Sequence, residues 1–154
     1  MITIREATAG DREFVLALAE RLADFDRPAW RSAEEIANAD RLALAAQLDA
    51  PSPEHALFVA ELDGCAAGCL LMWTLEDYFL QEHHAHVSVI AVRDDMQRRG
   101  VGRALMAHAE AWARARGHSR VTLSVFEGNR GAQRLYEEAG FAVEMRRYVK
   151  VLAE

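Results

Sequence analysis

The stretch HVSVIAVRDDMQRRGVGRALMAHAEAWARARG, His86 to Gly117, constrains the fold more than any other part of the chain. It begins as a β-prone run, HVSVIAV (86–92), and ends as a helix (100–116) with Val101, Leu105, Ala109 and Trp112 on one stripe. Gly117 is placed to stop that helix. A strand that runs through one short turn into a helix needs a sheet to pair with and a sheet face to cover, so this is an α/β chain. The turn is unusual in charge. Arg98, Arg99 and Arg103 surround Gly100 and Gly102 in a chain whose formal net charge is -6. The first amide hydrogens of a helix have no intrahelical partner and sit at its positive dipole end, which favours an anion there. The two glycines leave the backbone open to a diphosphate, and the arginines can reach a peripheral phosphate. No Gly-Lys-Ser/Thr follows, so the turn is not a P-loop. The third glycine of the dinucleotide fingerprint is missing, and one crossover helix does not make its repeated βαβ unit.

The remaining elements follow from period and caps. ITIREAT (2–8) alternates as a short strand, and AGDREFVLALAERLADF (9–25) carries Phe14, Val15, Leu18 and Leu22 at helical spacing. Ser32 and Glu35 stand in capping-box spacing at the head of a helix that Pro51 closes. ALFVAELDG (56–64) and CAAGCLLMWTL (65–75) form a hairpin through LDG. RVTLSVF (120–126) is a strand, NRGAQRLYEEAG (129–140) a helix between Asn129 and Gly140, and FAVEMRRYVKVL a last strand. The order is β-α-α-β-β-β-α-β-α-β, a single domain over residues 1–154 with a mixed, largely antiparallel sheet flanked by helices.

Charge narrows the partners. Residues 1–82 hold 16 Asp/Glu against 6 Arg, and residues 83–154 hold 12 Lys/Arg against 8 Asp/Glu. The acidic first half argues against nucleic acid and favours a cationic partner, while the basic second half suits an anionic ligand. The start lacks the pattern of a secretory signal, and no apolar run has the length of a membrane span, so a cytoplasmic protein without membrane contact is expected. Cys65 and Cys69 are four apart, on one face of a strand and too distant for an easy disulfide, so two reduced thiols are expected.

Two motifs now stand together. V-x-x-x-x-Q-R-R-G-V-G-x-x-L, followed by N-R-G-A-Q-R-L-Y-E-E-A-G-F, resembles the GNAT superfamily of acetyl-CoA-dependent N-acetyltransferases. The first matches that family's acetyl-CoA motif in Gln97, Gly100 and Gly102. The second matches in Asn129, Ala132, Leu135, Tyr136, Gly140 and Phe141. Asp94 stands where many relatives have proline, which alters the turn but not the amides. The resemblance implies a GNAT-like fold and direct transfer of an acetyl group from acetyl-CoA to a primary amine, with no metal. It implies that the backbone of Ile90, Ala91 and Val92 binds the pantetheine arm at a splayed strand. The diphosphate then rests on the amides of Gln97, Arg98, Arg99, Gly100, Val101, Gly102 and Arg103. Asn129 would contact the arm, and Arg130 or Arg134 the adenosine end. A dimer is common in proteins resembling this one.

Transfer needs a proton acceptor for the amine and a donor for the departing thiolate. The resemblance puts Tyr136 beside the sulfur as the acid. Where relatives place a glutamate base, this chain has His86, a residue suited to neutral pH. Alternation puts His86, Ser88 and Ile90 on one face up to any bulge; ordered water or a nearby glutamate is the competing base. Glu82, His83, His84 and His86 are too close together on a strand to converge on zinc. The resemblance puts the acceptor over the two N-terminal helices, the loop 76–84 and the last hairpin, which hold Asp24, Asp26, Trp30, Glu34, Glu35, Trp73, Glu76, Asp77, Tyr78 and Phe79, each of which can equally be a solvated helix-face or core residue. Carboxylates among aromatics favour a small cationic amine. The alternatives are a protein N-terminus or lysine, and a non-catalytic acyl-CoA sensor.

Overall fold

The computed structural model describes residues 1–153. Strands β1 (Ile2–Glu6), β2 (Ala56–Leu62), β3 (Cys65–Glu76), β4 (His83–Val92) and β5 (Val121–Leu123) form one sheet in that order. All neighbours are antiparallel except β4 and β5, which are parallel. Helices α1 (Arg12–Ala19) and α2 (Ala33–Asp49) lie in the β1–β2 connection. Helix α3 (Val101–Ala115) makes the β4–β5 crossover, and α4 (Arg130–Glu138) follows β5. The mixed, largely antiparallel sheet with flanking helices is the architecture read from the sequence.

Sequence signals set most boundaries. The Ser32 hydroxyl accepts from the Glu35 N–H at 3.0 Å, and the Glu35 carboxylate accepts from the Ser32 N–H at 3.0 Å. Such reciprocal capping stabilises a helix start by about 1 kcal/mol. Asp63 and Gly64, with φ of 51° and 84°, make the two-residue turn between β2 and β3.

The sheet separates two apolar layers. On one side Leu70, Met72 and Val87 meet Val101, Leu105 and Met106 of α3. On the other, Val59, Leu71 and Val89 meet Val15 and Leu18 of α1 and Leu44 of α2. Leu44, Leu71 and Leu105 are fully buried, each stabilising the fold by roughly 2 kcal/mol.

Four expectations are corrected. The helix read over 9–25 is a 3-10 turn (Ala9–Asp11) followed by the shorter α1, because the apolar stripe gives way to Asp24, Asp26 and Pro28. Strand β4 starts early, at His83, because the Asp77 carboxylate accepts from Phe79 and Leu80 N–H at 2.9 Å each and turns the chain back. Ala67 is a bulge between the Ala60–Gly68 and Glu61–Ala66 pairs, so alternation fails across CAAGC. Cys65 is exposed and Cys69 buried, both free. Finally, residues 141–153 form no strand, for alternation makes a strand only where a ladder partner stands beside it.

Candidate active site

Strand β5 accompanies β4 for three rungs only, Ala85–Val121, His86–Thr122 and Val87–Leu123. Beyond Val87 the two chains part. The segment after β5 turns toward the α1–α2 connection, where Phe126 stacks on Phe25 at 5.2 Å and Gly128 packs directly on the Asp26 backbone carbonyl. The outer end of β4, Ser88 to Val92, therefore pairs with β3 on one side and has no strand on the other. Its outward N–H and C=O groups form an open edge. Ile90, Ala91 and Val92 all lie on it.

The outer end of β4 also carries a bulge. Leu71 pairs with Val89 and the adjacent Met72 with Val87, which leaves Ser88 as the extra residue. Alternation reverses there. Ile90 and Val92 pack with the α3 layer, while Val89 and Ala91 pack with the α1–α2 layer. His86 lies on the α1–α2 side against Trp73, with ring centroids 6.3 Å apart. It thus shares a face with Val89 and Ala91, not with Ile90 as unbroken alternation implies.

At the end of this open edge the chain enters α3. The N–H groups from Arg98 to Arg103 donate to no carbonyl or side chain among the described residues; the first helical bond runs from Ala104 N–H to Gly100 C=O at 3.0 Å. Arg98 and Gly100 take φ of 62° and 86°, and turns of this kind gather successive N–H groups into an anion-binding concavity. Gly100 is required by its left-handed backbone. A Cβ at Gly102 would lie 3.3 Å from a Leu135 methyl of α4, a tight contact that the Leu135 side chain would have to relieve. Val101 is buried in the core, so only its backbone is available to a ligand.

The charged side chains divide. Arg99 reaches Met96 Sδ at 3.7 Å and Asp63 at 4.0 Å, and Arg93 binds the Ala66 carbonyl and Asp95. Asp94 pairs with Arg21, just after α1, which anchors the turn. Gln97, Arg98, Arg103, Arg130 and Arg134 are exposed and make no ion pair or side-chain hydrogen bond among the described residues. A shallow cleft lined by Phe14, Leu18, Arg21, Arg93 and Asp94 lies on the α1 side of the same turn.

Asn129 heads α4, its carbonyl oxygen accepting from Ala132 N–H at 3.3 Å. Its amide nitrogen stays free among the described residues. About two turns further on, Tyr136 packs with the α3 layer and edge-on to Phe141 at 6.2 Å. Burial pushes the Tyr136 phenol up to about 12. His86 Nδ1 lies 2.9 Å from the Thr122 hydroxyl, and burial, with a smaller contribution from His84, moves its pKa below the ordinary histidine value. Both groups are therefore neutral near pH 7.

Residues 17–141 match the Acetyltransferase (GNAT) family. The chain belongs to the GNAT acetyltransferase family. Membership places it among acetyl-CoA-dependent acyltransferases. GCN5-related N-acetyltransferase 4, chloroplastic, from Arabidopsis thaliana is 35% identical over 86 residues, 51% of this chain and 30% of that protein. A putative acetyl transferase from Pyrococcus furiosus superposes with a TM-score of 0.77 at 24% identity, over 99% of this chain and all of that one (100%). AAC(6')-Iy, in complex with the bisubstrate analog CoA-S-monomethyl-acetylneamine, gives a TM-score of 0.71 at 20% identity, over 100% of this chain and 99% of that one. The ribosomal-protein-alanine N-acetyltransferase of Brucella melitensis gives 0.72 at 19%, over 99% and 100%. At such identities the GNAT fold is what is shared.

One residue of this GNAT chain went unnoticed in the sequence. Asp40 falls on the inward stripe of α2 with Ile36, Ala37 and Leu44. It has no ion-pair or hydrogen-bond partner among the described residues, and burial pushes its carboxyl up to about 6. Its charge is felt by Cys69, which pairs with Ala91 on the open strand. A carboxylate interrupting an apolar helical stripe is the signal that would have found it.

Among the described residues no helix is long and apolar enough to cross a membrane, and no three His, Cys, Asp or Glu side chains gather as a metal site.

Proposed function

We propose that this protein is an N-acetyltransferase that moves the acetyl group of acetyl-CoA directly to the primary amine of a small cationic molecule. The observation that carries the reading is the run of free N–H groups from Arg98 to Arg103 at the end of an unpaired strand edge. That pairing suits a ligand with a diphosphate and an amide-bearing arm. The Arg98–Arg103 amides hold the diphosphate, the edge from Ile90 to Val92 binds the arm, and Arg98, Arg103, Arg130 and Arg134 supply cations at the nucleotide end.

Acetyl-CoA supplies an activated acyl carbon and a thiolate leaving group. The amine nitrogen bonds to that carbon as the carbon–sulfur bond breaks, one proton leaves the nitrogen and one reaches the sulfur. His86 takes the first on Nε2. Thr122 orients the ring through Nδ1, and with its hydroxyl accepting from Nδ1–H the Nε2 atom is the proton acceptor. Tyr136 holds its proton at neutral pH and donates it toward the sulfur. Asp40 with Asp24 and Asp26 gives the acceptor side its negative charge, the basis for a cationic substrate.

The test has two stages. Coenzyme A at millimolar concentration should raise the melting temperature; an unmoved transition would remove the reading. Thiol release is then followed across polyamines, aminoglycosides, amino-acid amides and N-terminal peptides. Turnover confined to peptides would replace the small-molecule assignment, and binding without turnover would leave a sensor.

A further inference from the structure

Three rings stand side by side across the α1–α2 face of the sheet. His55, directly before β2, lies 5.6 Å from the Trp73 ring of β3, which in turn lies 6.3 Å from His86 of β4. Trp73 and His86 are direct cross-strand partners, and the Ala56–Met72 pair sets His55 beside Trp73. The row therefore extends two strand spacings from the proposed base, about 10 Å. Over its far end α2 presents small side chains. Ala43, Ala46 and Ala50 leave a cavity of about 170 Å³ against Trp73 and His55, and it shares no residue with the Arg98–Arg103 turn. At roughly 30 Å³ for each water-sized group, it has room for about five or six non-hydrogen atoms.

The polar groups of its wall are few and partly uncommitted. The Gln47 carboxamide accepts from the Ser52 backbone N–H at 3.1 Å and donates to the Ser52 carbonyl at 3.5 Å. The Ser52 hydroxyl accepts from Glu54 N–H at 3.3 Å, and its own proton has no acceptor among the described residues. His55 has no hydrogen-bond partner on its ring among the described residues, and its Nδ1 is buried. An unpaired buried polar atom in a folded protein needs an explanation. His84 and His118 carry one too, but neither lines this cavity. No carboxylate, lysine or arginine lines it, so an ammonium inside would be buried without a counter-charge. The unpaired Asp40 stands one turn before Ala43 on α2, which divides charge from neutrality along one helix.

We infer that this cavity holds the far end of the acceptor, and that this end is an uncharged, hydroxyl-bearing group about 10 Å from the reacting amine. The inference rests on the acyl-transfer reading, which puts the amine at His86, and it names the acceptor class: an amino alcohol, not a linear polyamine. The hydroxyl donates to a His55 ring nitrogen and accepts from the Ser52 hydroxyl. Its carbons lie on Trp73 and the three alanines, where the cavity is apolar. A second ammonium at the same distance finds neither a carboxylate nor water.

Aminohexanol, hexylamine and diaminohexane share one length and differ only at the end away from the amine. Full-length protein labelled with ¹⁵N-histidine is titrated with each, the His55 ring signals being assigned with His55→Gln. Aminohexanol should shift those signals saturably, with a Kd about threefold or more below that of hexylamine and about tenfold or more below that of diaminohexane. Thiol release from acetyl-CoA should give kcat/KM in the same order. Ala46→Leu, at an exposed helix position, fills the cavity, and the ratio of kcat/KM for aminohexanol to that for ethylamine should fall about tenfold. If that variant misfolds, the titration of the parent decides. His55 signals that do not move, or equal affinity for the three amines, overturn the inference whatever the turnover. Selective, saturable binding without thiol release keeps the cavity as a binding site and removes the transferase reading alone.

Discussion

His86 Nδ1 lies 2.9 Å from the Thr122 hydroxyl, across the second of the three rungs that join β4 to β5. The contact ties an ionisable ring to the point where the sheet opens and leaves Nε2 as its only unengaged nitrogen. Burial disfavours the imidazolium, so His86, the proposed base, loses its accepting nitrogen only below the ordinary histidine pKa of about 6.5. The acid limb of kcat/KM therefore lies under pH 6.5. His86→Ala should lower kcat/KM about 100-fold or more and flatten that limb. A limb unchanged in the variant assigns the proton to water or a carboxylate.

Tyr136→Phe separates chemistry from binding. Its phenol, pushed up to about 12, remains protonated through the whole neutral range, so Tyr136 contributes no loss of rate up to about pH 10. The variant should lose 10- to 100-fold in kcat while its coenzyme A Kd stays within about twofold. Full turnover in Tyr136→Phe would remove the residue from the mechanism.

Gly100→Ala probes the cradle. An alanine at φ 86° costs roughly 1–2 kcal/mol, and relief of that strain rotates the adjacent amides. Coenzyme A affinity by calorimetry should fall about tenfold or more, with a melting temperature lower by a few degrees. Affinity equal to the parent's would show that these amides do not bind the ligand.

Asp40→Asn should move stability and specificity in opposite directions. The folded carboxyl sits at about 6 against 3.8 unfolded, so its proton is held more tightly in the folded state. Stability from this group is full below pH 3.8 and is lost as pH rises through 6. Discounted for partial solvent contact, Asp40→Asn should gain about 1–2 kcal/mol at pH 8 and nothing near pH 4. The same variant should raise KM for a dicationic amine several-fold, and an unchanged KM would free Asp40 of any acceptor role.

Asp11 behaves in the reverse sense. Arg5 grips both its oxygens at 2.8 and 2.9 Å, and Thr8 N–H adds a third bond at 2.8 Å, which hold the carboxyl at about 2. Its stabilisation is present above pH 3.8 and is lost as pH falls through 2. With the Asp11 side chain 10% exposed and Arg5 40%, Asp11→Asn should cost about 1–2 kcal/mol at pH 7 and visibly less at pH 3, measured by urea titration.

Local chemistry was readable wherever it depends on near neighbours. The Ser32–Glu35 box, the Asp63–Gly64 turn, the Asn129 cap and the left-handed Gly117 and Gly140 all stand where residue type places them. The free amides of Arg98 to Arg103 were foreshadowed by glycine placement in the same way. What escaped depends on residues far apart in the chain. The bulge at Ser88 inserts one residue into a run whose composition does not change, yet it turns His86 onto the face of Val89 and Ala91. The segment after Phe141 has the alternation of a strand, but the ladder partner that would make it one is not set by its own residues.

In the proposed enzyme backbone N–H groups, not arginine side chains, hold the coenzyme's diphosphate. A crystal structure of the coenzyme A complex measures this directly. Diphosphate oxygens are expected at ordinary hydrogen-bond distance, about 2.7–3.2 Å, from several amide nitrogens between Arg98 and Arg103, with the arm along Ile90 to Val92. A coenzyme held away from that run, or touching only the guanidinium groups of Arg98 and Arg103, would contradict it.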